Sequence, residues 1–321
     1  MLSVENLRTY YRTRQGLLKA VDGVSFALEK GEILGLVGES ACGKTTVALS
    51  IVRLLPSAAQ VMGGKILLHG DDLLSKNEGA MRDVRWGKIS IIFQGALNSL
   101  NPVLPVKEQI AEAMHAHGSV SGAEVDTTIT HLFKAVGLDP DRRTNYPHEF
   151  SGGMKQRVMI AMALACNPEI VIADEPTTAL DVIVQRQILE LIRNLRDELH
   201  ISMILITHDL SVVAQLCDRA VIMYAGRVAE MGDIHGLFES PMHPYTRALL
   251  KSIPKMEDAK AQKLSYIPGS VPDLTGPVPA CRFYGRCSHG QKICEEVDPQ
   301  LEESSPGNYV ACHFWRQISE A

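Results

Sequence analysis

The sequence lacks the features that mark several large classes of protein. It has no excess of basic residues, since 32 Lys and Arg stand against 37 Asp and Glu, for a formal net charge of −5. A general nucleic-acid binder normally needs a basic surface to neutralise phosphates, so the charge balance disfavours that class. No polybasic segment indicates binding to a membrane surface either.

Long apolar runs are missing as well. The longest covers the nine residues Val158–Cys166, whereas a membrane-spanning helix needs about 20. The first residues, Met1–Asn6, lack the basic region and the apolar run of a signal peptide. We therefore expect a soluble chain in the cytosol. The sequence also contains no internal repeat and no low-complexity tract.

Residues 1–250 alternate short apolar runs with amphipathic stretches, which predicts an α/β domain with a largely parallel sheet. Four apolar runs are predicted strands, and polar residues follow each of them: Ile33–Val37, Ile89–Phe93, Ile170–Ala173 and Ile201–Ile206. Open parallel sheets place their ligands at the carboxyl ends of the strands. The polar residues at these ends are therefore candidate site residues.

Two segments depart from this alternation. Residues 95–150 show helical patterning over Lys107–His117 and Gly122–Val136, broken by prolines, which predicts a helical subdomain. After Pro241 the density of proline and glycine rises, which predicts an extended connection without long helices or strands. We therefore expect a domain over residues 1–250 and a separate C-terminal region over residues 251–321.

The segment Gly38–Thr45 reads G-E-S-A-C-G-K-T and fits the phosphate-loop pattern G-x-x-x-x-G-K-[ST]. It follows a predicted strand and precedes a predicted helix, Thr46–Leu55, as this motif requires. Its backbone N–H groups and the helix N-terminus can hold phosphate oxygens. Lys44 can reach the β- and γ-phosphates, and the hydroxyl of Thr45 can ligate Mg²⁺.

Cys42 lies inside this loop and allows two interpretations. It is either a small residue that fits the turn or a thiol whose pKa the helix N-terminus lowers.

Further polar residues follow the other predicted strands. Asp174 and Glu175 follow the strand at 170–173, where one carboxylate can hold Mg²⁺ and the other can orient or deprotonate a water molecule. His208 follows the strand at 201–206, where it can meet a γ-phosphate. The amide oxygen of Gln94 can bind Mg²⁺ or water.

Ser151–Arg157 precedes an apolar helical run. Ser151 is a suitable N-cap, and Gly152 and Gly153 allow a close backbone approach, so this helix N-terminus can also hold phosphate. An ordinary capped helix is the alternative interpretation.

Four of the seven cysteines, Cys281, Cys287, Cys294 and Cys312, are clustered near the end of the chain. Disulfides are disfavoured in a reducing compartment, so this clustering suggests a metal. No Cys-x₂-Cys pair is present, which weakens a zinc-ribbon interpretation. The spacing alone leaves zinc, an iron–sulfur cluster and unligated thiols open.

Together these segments resemble the ATP-binding subunits of ABC transporters over nearly the whole chain. The family's motifs match as follows: Walker A at 38–45, the Q-loop at Gln94, the signature at 151–156, Walker B at 170–175, the D-loop at 179–181 and the H-loop at His208. The resemblance implies a P-loop NTPase core with a mixed sheet, a helical subdomain and a small irregular cysteine-rich region.

The resemblance also implies the roles of individual residues. Lys44, Glu175 and His208 would be catalytic, and Thr45, Gln94 and Asp174 would hold Mg²⁺. The residues that would contact ATP are Tyr11 (stacked on adenine, with Tyr10 as the less favoured choice), Gly38, Glu39, Ser40, Ala41, Cys42, Gly43, Lys44, Thr45, Thr46, Gln94, Ser151, Gly152, Gly153, Gln156, Asp174 and Asp181. Two positions depart from the family pattern: Ala41, where close relatives usually have glycine, and Met154, where many have glutamine.

The segment Ser240–Thr246, with its His-Pro-Tyr sequence at 243–245, resembles the oligopeptide and dipeptide importer branch. The segment Phe93–Pro102 resembles the first of the two ATPases of dipeptide systems. This implies a peripheral subunit at the cytoplasmic face of the membrane. Its partners would be a second, related ATPase, two integral membrane permeases and, indirectly, an extracytoplasmic solute-binding protein. The same branch serves nickel and oligosaccharides, which remain alternatives to peptides.

The branch resemblance also favours a [4Fe–4S] cluster on the four clustered cysteines, with zinc as the fallback. Two further functions stay open: a soluble ABC-type ATPase that acts on DNA or ribosomes, and an iron–sulfur redox protein that carries a nucleotide fold. The first usually has long coiled coils or two fused ATPase copies, and the chain has neither. The complete hydrolytic set disfavours the second.

Overall fold

The computed structural model describes residues 1–95, 99–118, 122–252 and 267–319. Residues 96–98, which belong to the segment that resembles the dipeptide ATPase, lie outside the described residues. So do residues 253–266, which belong to the predicted extended connection.

Strands and helices are numbered in chain order. The strands are β1 (Leu2–Thr13), β2 (Gly16–Leu28), β3 (Ile33–Val37), β4 (Ala59–Leu68), β5 (Asp71–Asp72), β6 (Ile89–Ile92), β7 (Ile170–Asp174), β8 (Ser202–Thr207), β9 (Arg219–Tyr224), β10 (Arg227–Asp233), β11 (Glu302–Ser305) and β12 (Asn308–Val310). The helices are α1 (Lys44–Ile51), α2 (Glu78–Val84), α3 (Val106–Ala116), α4 (Gly122–Ala135), α5 (Gly152–Leu164), α6 (Val182–Leu199), α7 (Leu210–Leu216), α8 (Ile234–Glu239), α9 (Pro244–Lys251), α10 (Lys292–Glu296) and α11 (Trp315–Ser319).

The four predicted strands are confirmed as β3, β6, β7 and β8, with ends that differ by at most one residue. Every residue of β3, β7 and β8 is buried. A strand that is covered on both faces reads as a continuous apolar run, which is why these three could be predicted from short sequence windows. The two predicted helices of the helical segment are confirmed as α3 and α4.

The described chain divides into two units. Unit 1 contains residues 1–27, 34–74 and 207–321, and unit 2 contains residues 28–33 and 75–206. The domain boundary predicted at residue 250 therefore falls inside unit 1.

Unit 1 contains an antiparallel sheet in the order β2-β1-β4-β5. In a second set of strands, β3 pairs in parallel with β9, and β9 pairs antiparallel with β10. The C-terminal hairpin continues this set, because β12 pairs antiparallel with β10 and β11 pairs with β12. The C-terminal region thus extends the same mixed set of strands that carries the phosphate loop.

Unit 2 contains three parallel strands in the order β6-β7-β8. Because all three run in the same direction, their carboxyl ends lie at one edge, where Gln94 and Glu175 follow β6 and β7. Within the described ranges, no helix combines the length and the apolar character that crossing a bilayer requires.

Candidate nucleotide site

The phosphate loop connects β3 to α1 and needs glycine at its two ends. Gly43, the N-cap of α1, has φ 103°, and a Cβ there would lie 2.3 Å from the Ala20 carbonyl oxygen. A Cβ at Gly38 would lie 2.2 Å from the Met223 carbonyl oxygen. Both distances are well below a van der Waals contact, so only glycine lets the loop pack this closely against its neighbours.

Cys42 is buried, with 1% of its surface exposed. Burial raises the pKa of its thiol, although Lys44 Nζ lies 3.7 Å from Sγ and acts in the opposite direction. The interpretation of Cys42 as an activated thiolate is therefore wrong, because desolvation outweighs the nearby positive charge. Cys42 is a small, buried residue of the turn.

Lys44 is 5% exposed, and its ammonium group lies against the loop. Nζ donates hydrogen bonds to the carbonyl oxygens of Gly38, at 2.8 Å, and Glu39, at 3.0 Å. The positive charge is thus held against the backbone of the loop, while the neighbouring Thr45 is exposed.

The two candidate adenine-stacking tyrosines have different partners. The Tyr11 hydroxyl lies 3.2 Å from Thr46 Oγ1, in the first turn of α1. The Tyr10 hydroxyl instead donates a hydrogen bond of 2.7 Å to Asp22. Tyr11 is therefore the one that contacts the start of the phosphate-loop helix.

The phosphate loop lines a cavity of about 560 Å³ within unit 1. Gly38, Glu39 and Ser40 form one wall, and His208 and Arg286 also contribute. His208 is exposed. The structure thus brings the predicted H-loop histidine to the same cavity as the loop.

In unit 2, two of the predicted residues are in direct contact. Glu175 Oε2 accepts hydrogen bonds from Gln94 Nε2, at 2.8 Å, and from Thr178 Oγ1, at 2.9 Å. Glu175 has φ 48°, a left-handed conformation that is rare outside glycine and is often found at functional sites. Asp174, at the end of β7, is 1% exposed.

The signature segment forms the capped start of α5. The Ser151 hydroxyl accepts from the Met154 N–H at 3.4 Å, as its sequence position predicts. A Cβ at Gly153 would lie 2.6 Å from Val184 Cγ1, so this glycine allows α5 to pack closely against α6. Ser151 and Gly152 are exposed, whereas Gln156 is 4% exposed.

Asp181 caps the next helix, α6, by accepting hydrogen bonds from the backbone N–H groups of Ile183 and Val184 at 3.1 and 3.0 Å.

The four clustered cysteines line one small pocket of unit 1. Burial raises the pKa of Cys281 to about 12 and that of Cys312 to about 11, and negative charge on the other cysteines adds to both shifts. In the part of the chain that the structure describes, however, no group of three or more His, Cys, Asp or Glu is arranged to hold a metal ion. The predicted [4Fe–4S] cluster and the zinc fallback are therefore not supported by the ligand geometry.

Comparison with known proteins identifies the family. The ABC transporter model matches residues 21–178, and the model described as "Oligopeptide/dipeptide transporter, C-terminal region" matches residues 229–294. A probable peptide ABC transporter ATP-binding protein of Sinorhizobium fredii is 48% identical over 98% of this chain and 95% of its own length. The dipeptide transport ATP-binding protein DppD of Bacillus subtilis is 45% identical over 100% of this chain and 96% of its own length.

The chain belongs to the family of ABC transporter ATP-binding proteins. Among solved structures, it is similar to the dimeric MJ0796 cassette, a bacterial ABC transporter cassette, at a TM-score of 0.65 and 28% identity. That similarity covers 73% of this chain and 99% of the cassette. A second structure of MJ0796, in a post-hydrolysis state with ADP and Pi, is similar at 27% identity and the same TM-score. As a member of this family, the chain is an ATPase.

The sequence did not reveal every residue that shapes the site of this ABC ATPase. Tyr245 Oη accepts a hydrogen bond from the Glu39 N–H at 2.9 Å, and Arg286 pairs with the Glu39 carboxylate at 2.6 Å. His243–Tyr245 was identified only as a marker of the family branch. No sequence signal pointed to Arg286, because its partner lies 247 positions earlier in the chain.

Proposed function

We propose that this ABC ATPase powers the uptake of short peptides across the cytoplasmic membrane. The proposal rests on the occurrence, in one chain, of ATPase motifs and of a region that is typical of peptide transporters. A complete set of ATPase motifs is followed by a region that matches the oligopeptide/dipeptide transporter model over residues 229–294. Relatives that are 44–48% identical over most of their length carry names of peptide, dipeptide or oligopeptide transport proteins.

Within unit 1, Lys44 is the proposed phosphate-binding residue. Its two acceptors are backbone carbonyls of the loop, so the ammonium group can exchange them for phosphate oxygens with little movement. The exposed hydroxyl of Thr45 is a suitable oxygen donor for Mg²⁺, which would neutralise phosphate charge when bound. His208, which lines the cavity beside the loop, can donate a hydrogen bond there.

Within unit 2, Glu175 is the proposed base. Gln94 and Thr178 both donate to Oε2 and so orient the carboxylate, and a carboxylate at the end of this strand can accept a hydrogen bond from water and orient it. Asp174 and Gln94 supply the oxygen donors that the family resemblance assigns to Mg²⁺.

We further propose that the chain works at the cytoplasmic face with a second, related ATPase, two permeases and a solute-binding protein. Each composite ATP site would use the signature residues of the other ATPase. In support, Ser151 and Gly152 are exposed, and Val182 and Ile183 beside Asp181 are 82% and 73% exposed. Adjacent apolar side chains with such exposure are typical of a surface that a partner covers.

The [4Fe–4S] cluster remains a proposal for the C-terminal region. The four cysteines are not arranged as a ligand set in the part of the chain that the structure describes, so the proposal rests on donor chemistry: Cys281, Cys287, Cys294 and Cys312 line one pocket, and four thiolates are the usual ligands of such clusters. Iron and acid-labile sulfide should be measured on protein purified without oxygen. About four of each per chain is the expected result, and stoichiometric zinc or metal-free protein would exclude it.

The proposed function is tested with the assembled transporter in vesicles, supplied with Mg–ATP and a labelled dipeptide. The variant Glu175→Gln should retain ATP binding but abolish both ATP hydrolysis and dipeptide uptake. The matched control is Glu190→Gln, which removes an exposed carboxylate of α6 whose ion-pair partner is Arg186. Uptake of nickel or an oligosaccharide instead of dipeptides would exclude the peptide assignment, and undiminished hydrolysis by Glu175→Gln would exclude Glu175 as the base.

A further inference from the structure

We propose that the segment 229–294, which matches the transporter C-terminal model, positions the phosphate loop through Glu39, with Tyr245 and Arg286 as positioning residues. We call these three residues the loop clamp. The proposal rests on the proposed binding of ATP at this loop, and it assigns an effect on nucleotide affinity to a region that lies outside the ATPase motifs.

The first contact of the clamp holds the backbone of the loop: the Glu39 N–H donates a hydrogen bond to Tyr245 Oη, at 2.9 Å. Tyr245 is completely buried, and its ring packs against those of Tyr224 and Phe283, with centroids 4.7 and 5.4 Å away. Burial raises the pKa of Tyr245, so its hydroxyl stays neutral at physiological pH. A rigid, neutral phenol therefore fixes the backbone at the second residue of the loop.

The second contact of the clamp is a bidentate ion pair between the side chains of Arg286 and Glu39. Arg286 Nη1 donates to Glu39 Oε2 at 2.6 Å, and Nη2 donates to Oε1 at 3.0 Å. This arrangement matches the planar guanidinium to the planar carboxylate, which is the strongest geometry for such a pair. Arg286 is itself held in place, because its side chain is 6% exposed and Nε donates to the Pro268 carbonyl oxygen at 2.9 Å.

The charge of Glu39 gives the clamp a consequence for ATP. Glu39 and Ser40 line the cavity beside the phosphate loop, so an unpaired carboxylate at Glu39 would repel phosphate oxygens. Arg286 neutralises that carboxylate from the C-terminal side. The clamp therefore keeps the positive charge of Lys44 uncompensated and available to an anion.

The test measures binding of a fluorescent ATP analogue with Mg²⁺ to the full-length chain. We expect Arg286→Gln to weaken binding at least tenfold, because it leaves the Glu39 charge unpaired. Adding Glu39→Gln in the same chain should recover most of that loss, since the repelling charge is then gone. A purely structural role of Arg286 would not give this recovery.

The matched control is Arg316→Gln, which removes another arginine of the C-terminal region that pairs with a glutamate, Glu302, at 3.6 Å. It should bind the analogue as the wild type does. A second variant, Tyr245→Phe, keeps the buried ring but loses the acceptor for the Glu39 N–H, and it should weaken binding about threefold. Thermal melting of each variant shows whether it is folded, and Tyr245→Phe together with the double variant decides the question if Arg286→Gln does not fold.

The proposal is overturned if Arg286→Gln binds as tightly as Arg316→Gln. It is also overturned if the double variant binds no better than Arg286→Gln, or if Tyr245→Phe binds like the wild type. Two other results would show that the proposed function itself fails. If the wild-type chain does not bind the analogue, or if the Lys44→Ala variant binds it as tightly as the wild type does, there is no ATP site at this loop.

Discussion

Replacing Ala41 by glycine should stabilise the protein, although alanine-to-glycine changes normally destabilise. Ala41 is exposed in the phosphate loop and has φ 65°, a left-handed conformation. An L-residue in this conformation costs about 1–2 kcal/mol, a cost that glycine avoids. Glycine loses about 0.5–1 kcal/mol more backbone entropy on folding. The difference predicts that Ala41→Gly stabilises the chain by about 0.5–1 kcal/mol.

The matched control is Ala214→Gly, which changes another exposed alanine of unit 1. Ala214 lies inside α7, where the backbone is helical, so no left-handed strain is relieved there. Glycine in a helix interior costs about 1 kcal/mol relative to alanine. The two substitutions are chemically identical and should have opposite signs, with stabilities that differ by about 1.5–2 kcal/mol.

The assay is thermal unfolding of the full-length wild type and both variants without nucleotide. At about 1.5 °C per kcal/mol for a chain of 321 residues, the two variants should melt about 2–3 °C apart. Equal decreases in melting temperature for Ala41→Gly and Ala214→Gly would refute the reasoning, since they would show that the left-handed backbone of Ala41 carries no cost.

Three further predictions follow from single contacts. Gln94→Ala removes a hydrogen-bond donor to Glu175 and should lower kcat for ATP hydrolysis at least tenfold with little change in ATP affinity; an unchanged kcat would contradict the contact's role. Burial lowers the pKa of His243 from 6.5 to about 4, so the folded state loses about 2 kcal/mol of stability as the pH falls from 7 to 5, because the unfolded chain takes up the proton first. Unfolding measured against pH should show this loss in the wild type but not in His243→Asn. Gly153→Ala should destabilise the protein by about 1–3 kcal/mol through its clash with Val184, and Val184→Ala in the same chain should restore part of the loss in thermal unfolding.

The parts of the fold that the sequence predicted are those that short-range physics determines. The strand Ile170–Ala173, the phosphate loop and the N-cap at Ser151 each depend on a few consecutive residues, and the structure has all three. Burial on both faces, positive φ and capping leave local signatures of composition. These signatures predicted the local structure of the phosphate loop and of the start of α5, whereas the roles of the individual site residues stay predictions that the family resemblance implies.

The contacts that the sequence did not predict join distant residues. Arg286 and Glu39 are 247 positions apart, and Arg282 and Asp22, which also form an ion pair, are 260 apart. A single charge carries no information about its partner, because arginine is equally suited to solvent and to a carboxylate. The hairpin of β11 and β12 was missed for a related reason: strands of four and three residues are too short to show a clear period.

The C-terminal region is distinct in sequence, with its prolines and cysteines, but it is part of the unit that carries the phosphate loop. The two arginines that join it to the earlier chain, Arg282 and Arg286, directly follow Cys281 and precede Cys287. If this region favours the ATP-binding form of the loop, then by linkage ATP must stabilise the region to the same extent. Hydrogen exchange of residues 281–312 should therefore slow when Mg–ATP binds, and this slowing should be lost in Arg286→Gln at saturating nucleotide. If Mg–ATP does not change the hydrogen exchange of residues 281–312, the ion pair holds the region to the loop without any effect on nucleotide binding.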